Sequence, residues 1–309
     1  MRILLSGSHG LIGSALTSFL ADHGHRVVRL LREKQVTDDE VVIWDPLERK
    51  VKIEELEGFE AVIHLAGENV ASGRWTTKKK QAIYDSRIQS TQFLCECFKK
   101  LSSPPKDFIC ASAIGFYGHR KEEELDEKQG SGNGFLSNVC KDWEAVSEVL
   151  NDYPIRVAHL RFGVVLSSDG GALAQMLRPF RMGFGGRVGS GEQYMSWIAI
   201  DDAISALYFV LRHNEMTGPV NIVSPNPVTN LEFTKILGQT LGKWAIVPLP
   251  AFLARIAMGE LANELLLAST RAIPAKLMES EFSFQFPNLA DALEHVIEEE
   301  EILEETPVA

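Results

Sequence analysis

The residues best placed to do chemistry stand at the start of the chain, in the run Ile3-Leu4-Leu5-Ser6-Gly7-Ser8-His9-Gly10-Leu11-Ile12-Gly13. An apolar stretch, a glycine-rich turn and an amphipathic stretch from Ser14 to His23 spell strand, turn and helix. In that setting each glycine has a task. Gly7 permits the tight turn, Gly10 lets backbone approach a pyrophosphate, and Gly13 lets the helix pack closely on the strand. With Ser8, His9, Leu11 and Ile12 completing the turn, exposed N–H groups and the positive end of the helix supply an anion site. Three spaced glycines alone are weak evidence, but in this context they point to a bound dinucleotide.

The next strand, Arg26 to Arg32, ends in Leu31-Arg32. A carboxylate there would hold the ribose hydroxyls of NAD(H) and repel a 2′-phosphate, whereas a guanidinium pairs with that phosphate. The expected cofactor is therefore NADP(H), with a merely solvated Arg32 as the weaker reading.

Such a site needs a parallel sheet to hold it. Short β-rich runs at Ile3–Leu5, Arg26–Leu31, Ala61–Leu65, Asp107–Ala111 and Arg156–Leu160 alternate with longer amphipathic stretches. That alternation predicts an α/β fold, a Rossmann-type doubly wound parallel sheet. From about Leu166 a Gly- and Arg-containing stretch, Leu177 to Arg187 and then Gly189-Ser190-Gly191, reads as a site-forming loop region. Residues 226–297 read as mostly helical. The expected division is a nucleotide-binding domain over 1–166 and 198–224, a smaller substrate-binding region over 167–197 and 225–297, and a solvated or frayed acidic tail over 298–309.

Composition narrows the partners. A net charge of −11 over 309 residues argues against nucleic acid or an anionic membrane as the main partner. No apolar run reaches 18 residues and no charged-then-apolar leader precedes Arg2, which gives a cytoplasmic, soluble expectation. Cys95, Cys97, Cys110 and Cys140 lack C-x-x-C spacing and read as reduced core thiols; the histidines are scattered, so no metal is expected.

The Gly-x-x-Gly-x-x-Gly spacing resembles the extended short-chain dehydrogenase/reductases, relatives of nucleotide-sugar epimerases and dehydratases. A narrower resemblance rests on His64-Leu65-Ala66-Gly67-Glu68-Asn69, Ser86-Arg87-Ile88, Ser112 to Gly118, Trp143-Glu144-Ala145, Gly189-Ser190-Gly191, Trp197-Ile198, Asn221 and Gly259-Glu260-Leu261-Ala262. Together these are similar to the atypical, SDR39U1-like epimerase family proteins of the NAD-dependent epimerase/dehydratase superfamily. The resemblance implies that Leu65, Ala66 and Gly67 lie beside the adenosine and pyrophosphate. It places Arg87 on a helix facing the cofactor and Val165 near the nicotinamide.

The same resemblance implies a Ser-Tyr-Lys acid/base set, because a phenol is a poor base at neutral pH unless a neighbouring ammonium eases loss of its proton. Here the set is incomplete. Lys141 matches the family's Lys, but Ser137 stands where its Tyr is expected and Ala113 where its Ser is expected. Tyr117 and Ser112 are the nearest substitutes, and Lys141 also serves as a candidate for the nicotinamide ribose. Met195 replaces the Arg that grips a nucleotide-sugar diphosphate, and Ala199 replaces a His at the cleft rim. The leading expectation is an NADP(H)-dependent oxidoreductase or epimerase-like enzyme on a small polar substrate. Its rivals are a weak or inactive NADP(H)-binding sensor or regulator, and an interaction protein with a vestigial site.

Overall fold

The computed structural model describes residues 1–33 and 40–305, and of 299–305 the backbone only. The chain runs β1 (Arg2–Ser6), α1 (Leu11–Asp22), β2 (Arg26–Leu31), β3 (Val41–Asp45), β4 (Lys50–Val51), β5 (Ala61–His64), α2 (Thr77–Phe98), β6 (Asp107–Ala113) and β7 (Glu124–Leu125). It continues with α3 (Phe135–Ser147), β8 (Arg156–Phe162), β9 (Val164–Leu166), α4 (Gly171–Arg181), β10 (Tyr194–Met195), β11 (Trp197–Ala199), α5 (Ile200–Arg212) and β12 (Gly218–Ile222). The remainder is β13 (Val228–Thr229), α6 (Asn230–Thr240), α7 (Ala251–Met258), β14 (Arg271–Ala272), α8 (Ala275–Glu279) and α9 (Leu289–Glu305).

Among the described residues eight strands form one sheet in the order β12-β8-β6-β5-β1-β2-β3-β4. Its ladders are parallel except for the antiparallel β3–β4 pair at the edge. Parallel strands covered by helices on both faces must be apolar on both sides. Accordingly Ile3, Leu4 and Leu5 are wholly buried, as are Ala61 and Ile63. Helix α1 buries Gly13, Leu16 and Leu20, a single stripe at i, i+3 and i+7.

After β3 and β4 the chain returns to the other side of β1 as β5. This reversal opens a crevice at the carboxyl ends of β1 and β5, where ligands bind in such sheets. A second apolar core, with Leu173, Leu177, Phe180, Trp197, Phe233, Leu237 and Leu293, lies in the later part of the chain. The backbone of the acidic end is helical as far as Glu305, and residues 306–309 of the expected tail lie outside the described residues. No described helix is long and apolar enough to cross a membrane.

Candidate functional site

The turn from β1 into α1 is closed by backbone against backbone. Gly7 has φ +74°, and a Cβ there would stand 2.7 Å from the carbonyl carbon of Leu65. A Cβ on Gly13 would stand 2.1 Å from the carbonyl oxygen of Gly7. Gly10 caps α1 without a side-chain hydrogen bond, and no acidic residue lies in the first turn. The helix therefore offers its first N–H groups and its positive end to an external anion. Among the described residues Ser8 Oγ, beside these amides, is buried without a hydrogen-bond partner. Gly7, His9, Leu31, Arg32, Ala66 and Gly67 line one cavity of about 450 Å³, and Arg32 also borders a neighbouring hollow against α2.

Leu11 reaches the far side of this crevice. A Cβ on Gly171, at the start of α4, would lie 3.2 Å from Leu11 Cδ2 and 3.6 Å from the Val165 carbonyl oxygen, so the turn and the segment after β8 meet there. Arg87 lies beneath Gly67, whose added Cβ would be 3.1 Å from its Cζ. Its Nη1 donates to the Glu68 and Ile83 carbonyls at 3.0 and 3.1 Å, and its guanidinium lies 5.2 Å from the Trp143 ring centroid. Burial lowers its pKa below the usual arginine value.

Under the floor runs a polar chain that the sequence reading missed. Ser6 Oγ lies 2.6 Å from His64 Nδ1, and His64 Nε2 lies 3.2 Å from Ser90 Oγ. Ser90 Oγ donates its proton to the Ser86 carbonyl at 2.5 Å, so it accepts from His64 Nε2–H. His64 Nδ1 then accepts from Ser6. The arrangement satisfies a neutral imidazole and leaves no acceptor for a second ring proton.

Burial pushes the His64 pKa from 6.5 down to about 3. The unfolded chain takes up this proton as pH falls below 6.5 while the folded chain refuses it, so the stability present above 6.5 drains away toward pH 3. The expected slope from this residue is roughly 1.4 kcal/mol per pH unit. Urea midpoints measured between pH 7 and 4.5 should fall accordingly, and less steeply in His64→Gln. Equal slopes in the two proteins would mean that His64 accepts a proton in place.

The candidate acid/base groups fall elsewhere. Ser112 Oγ donates to Glu144 Oε1 at 2.6 Å. Glu144 also receives Arg161 Nε at 2.8 Å and Nη2 at 2.7 Å. Arg161 Nη1 donates to the Tyr117 hydroxyl at 2.9 Å, and that hydroxyl faces Asn221 Oδ1 at 2.8 Å and the Asp126 carbonyl at 3.0 Å. Tyr117 is 0% exposed, and burial pushes its pKa up to about 12 despite Arg161. Ser112 and Tyr117 are thus joined through an ion pair, with their hydroxyls spent on it.

Helix α3 buries Leu136, Val139, Cys140 and Trp143, which turns Lys141 to the exposed side. There it lines a separate groove of about 800 Å³ along β8 and β12 with Ala145 and Glu148. Cys140 instead faces inward, with Sγ 3.9 Å from an added Cβ on Gly115, and burial raises its pKa to about 11. The i, i+3, i+4, i+7 stripe of α3 was readable in the sequence and would have separated these neighbours.

In the loop region Met195 pairs with Val228, and its Sδ accepts from Asn230 Nδ2 at 3.5 Å. Arg187 Nη1 donates to the Ser190 carbonyl at 2.5 Å. Ala199 is 0% exposed, so it sits inside the second core and not at a cleft rim. The four cysteines are free and buried, and no cluster of metal-ligating side chains occurs among the described residues.

Residues 3–223 match the profile of the NAD dependent epimerase/dehydratase family, and residues 249–296 match a domain of unknown function, DUF1731. An epimerase family protein of Mycobacterium tuberculosis (strain CDC 1551 / Oshkosh) is 39% identical over 94% of this chain and 96% of its own. The crystal structure of human epimerase family protein SDR39U1 with NADPH superposes with a TM-score of 0.90 at 34% identity, over 96% of this chain and 99% of that one. A Bacillus cereus UDP-glucuronic acid 4-epimerase in complex with NAD, 20% identical over 100% and 99% of the two chains, shares the fold with a TM-score of 0.76.

Proposed function

This chain belongs to the NAD-dependent epimerase/dehydratase family, and from that membership we propose that it binds NADP(H) across the carboxyl ends of β1 and β5. We propose further that it works as an NADP(H)-dependent oxidoreductase or epimerase-like protein on a small polar substrate. The observation that carries the binding step is the open N-terminus of α1. Gly7 and Gly13 are packed too tightly for any side chain, and among the described residues no acidic or capping group fills the helix end and Ser8 Oγ is buried without a partner. A pyrophosphate fits that donor set. Leu31 and Arg32 would border the adenosine ribose, Leu65 to Gly67 the pyrophosphate, and Arg87 and Val165 the inner end. When bound, the nicotinamide supplies hydride chemistry, while the protein orients it and excludes water.

Arg32→Ala is expected to weaken NADPH by roughly 10- to 100-fold, the value of a charge-assisted hydrogen bond, and to change NADH little. Fluorescence titration of both cofactors tests the reading. Equal weakening would show that Arg32 does not distinguish them.

A second reading, a cofactor-binding protein with weak or no turnover, is favoured by one observation. Tyr117 is sealed behind Arg161 and Asn221 while Lys141 lines another groove. In this reading neither residue handles a proton at the nicotinamide. Lys141→Met should then keep NADPH affinity within about twofold. Tyr117→Phe should keep it too, but lose about 1–3 kcal/mol of stability by leaving buried groups unpaired. A tenfold loss of NADPH affinity in Lys141→Met would return its ammonium to the cofactor.

A further inference from the structure

We propose that the face formed by residues 182–187, 244–249 and α7 is a docking surface for a membrane containing anionic phospholipid. These segments are one surface because their backbones are bonded together. Val247 N–H donates to the Gly185 carbonyl at 3.0 Å and Leu249 N–H to the Arg187 carbonyl at 2.8 Å, and Pro250 leads directly into α7.

The side chains on it are large, apolar and uncovered. Trp244 is 83% exposed, Ile246 74%, Ile256 67%, Phe184 66% and Phe252 60%, and α7 buries Ala254 alone. Single exposed apolar residues are ordinary on soluble proteins, but a contiguous group of this size marks an interaction surface.

Its charge selects the partner. No Asp or Glu occurs between residues 170 and 191, or between 233 and 259, in a chain whose overall charge is −11. Exposed Arg178, Arg187, Lys243 and Arg255 occupy those same spans. Of the carboxylates flanking these spans, Glu232 is held in the capping box of α6 and Glu260 pairs with Lys80 at 2.8 Å, while Asp169 and Glu192 bound the first span and Glu192 lines a hollow with Arg255 at the edge of α7. Tryptophan and branched apolar side chains within a cationic rim suit the boundary between anionic headgroups and acyl chains. A second copy fits worse, because a two-fold contact pairs the patch with itself, and residues 182–187 and 244–258 carry cations but no carboxylate to set against them. The acidic character of the whole chain therefore does not describe this face.

The test is sedimentation of the full chain with vesicles of phosphatidylcholine alone or with about 30 mol% phosphatidylserine, beside light scattering without lipid. The anionic vesicles are expected to bind at least about tenfold more tightly, and less so as salt rises. Trp244→Ser with Ile246→Ser should lose that binding, and Lys243→Glu should weaken it roughly five- to tenfold with thermal melting unchanged. Three results would overturn the proposal: no preference for anionic vesicles, binding that the variants leave intact, or a lipid-free dimer that the same variants dissolve.

Discussion

Glu144→Ala is expected to destabilise the protein by about 3–5 kcal/mol, because it strands a buried guanidinium. Arg161 and Glu144 side chains are 3% and 10% exposed, and Glu144 accepts two bonds from the guanidinium and a third from Ser112. Removing the carboxylate leaves a cation enclosed by Phe116, at 3.6 Å to the ring centroid, and by Tyr117. The pair's net value against an apolar alternative is small, so the double variant Glu144→Leu, Arg161→Met should recover a good part of the loss. Urea denaturation of the three proteins gives the comparison. A loss below about 1 kcal/mol for Glu144→Ala would place the pair in the class of solvated surface ion pairs.

Gly13→Ala is expected to abolish measurable NADPH binding, a loss of at least about 100-fold, and to cost about 1–3 kcal/mol through overpacking. The new methyl would sit 2.1 Å from the Gly7 carbonyl oxygen and 2.9 Å from Ser8 Cα, both backbone, so the turn itself must shift. Gly10→Ala is the contrasting case. Its Cβ meets only the Gly7 carbonyl oxygen, at 3.3 Å, so the fold should tolerate it while the ligand loses its close approach. Melting curves with and without NADPH separate the two effects. Tight NADPH binding by Gly13→Ala would remove the glycine turn from the site.

Much of the architecture follows from patterns that depend only on neighbours along the chain. Alternating apolar runs and amphipathic stretches predict the parallel sheet, and the spacing of Gly7, Gly10 and Gly13 predicts the turn at its switch point, where the structure has it. Side-chain partnerships across the fold were not legible. Nothing local to His64 announces that Ser6 and Ser90 enclose it, from 58 and 26 residues away. Nothing local to Tyr117 announces its burial either, which is decided by Arg161 and Asn221, 44 and 104 residues further on. Lys141 is a different case. Alignment to a family pattern proposed it for the cofactor, and the helical period of α3, readable in the sequence, sets it on the exposed side of that helix.

The position of β12 in the sheet also governs the order of assembly. It pairs with β8, and its Asn221 closes over Tyr117 with help from the carbonyls of Leu125 and Ile273. A growing chain that has emerged only as far as β8 therefore carries an open sheet edge and an Arg161–Glu144 pair still facing water. Everything from residue 163 to 217 must be synthesised before that edge is sealed, and Ile273 arrives later still. An unpaired parallel strand edge of that kind is a template for mispairing, and the late pairing of β12 with β8 is what removes it from this half of the fold.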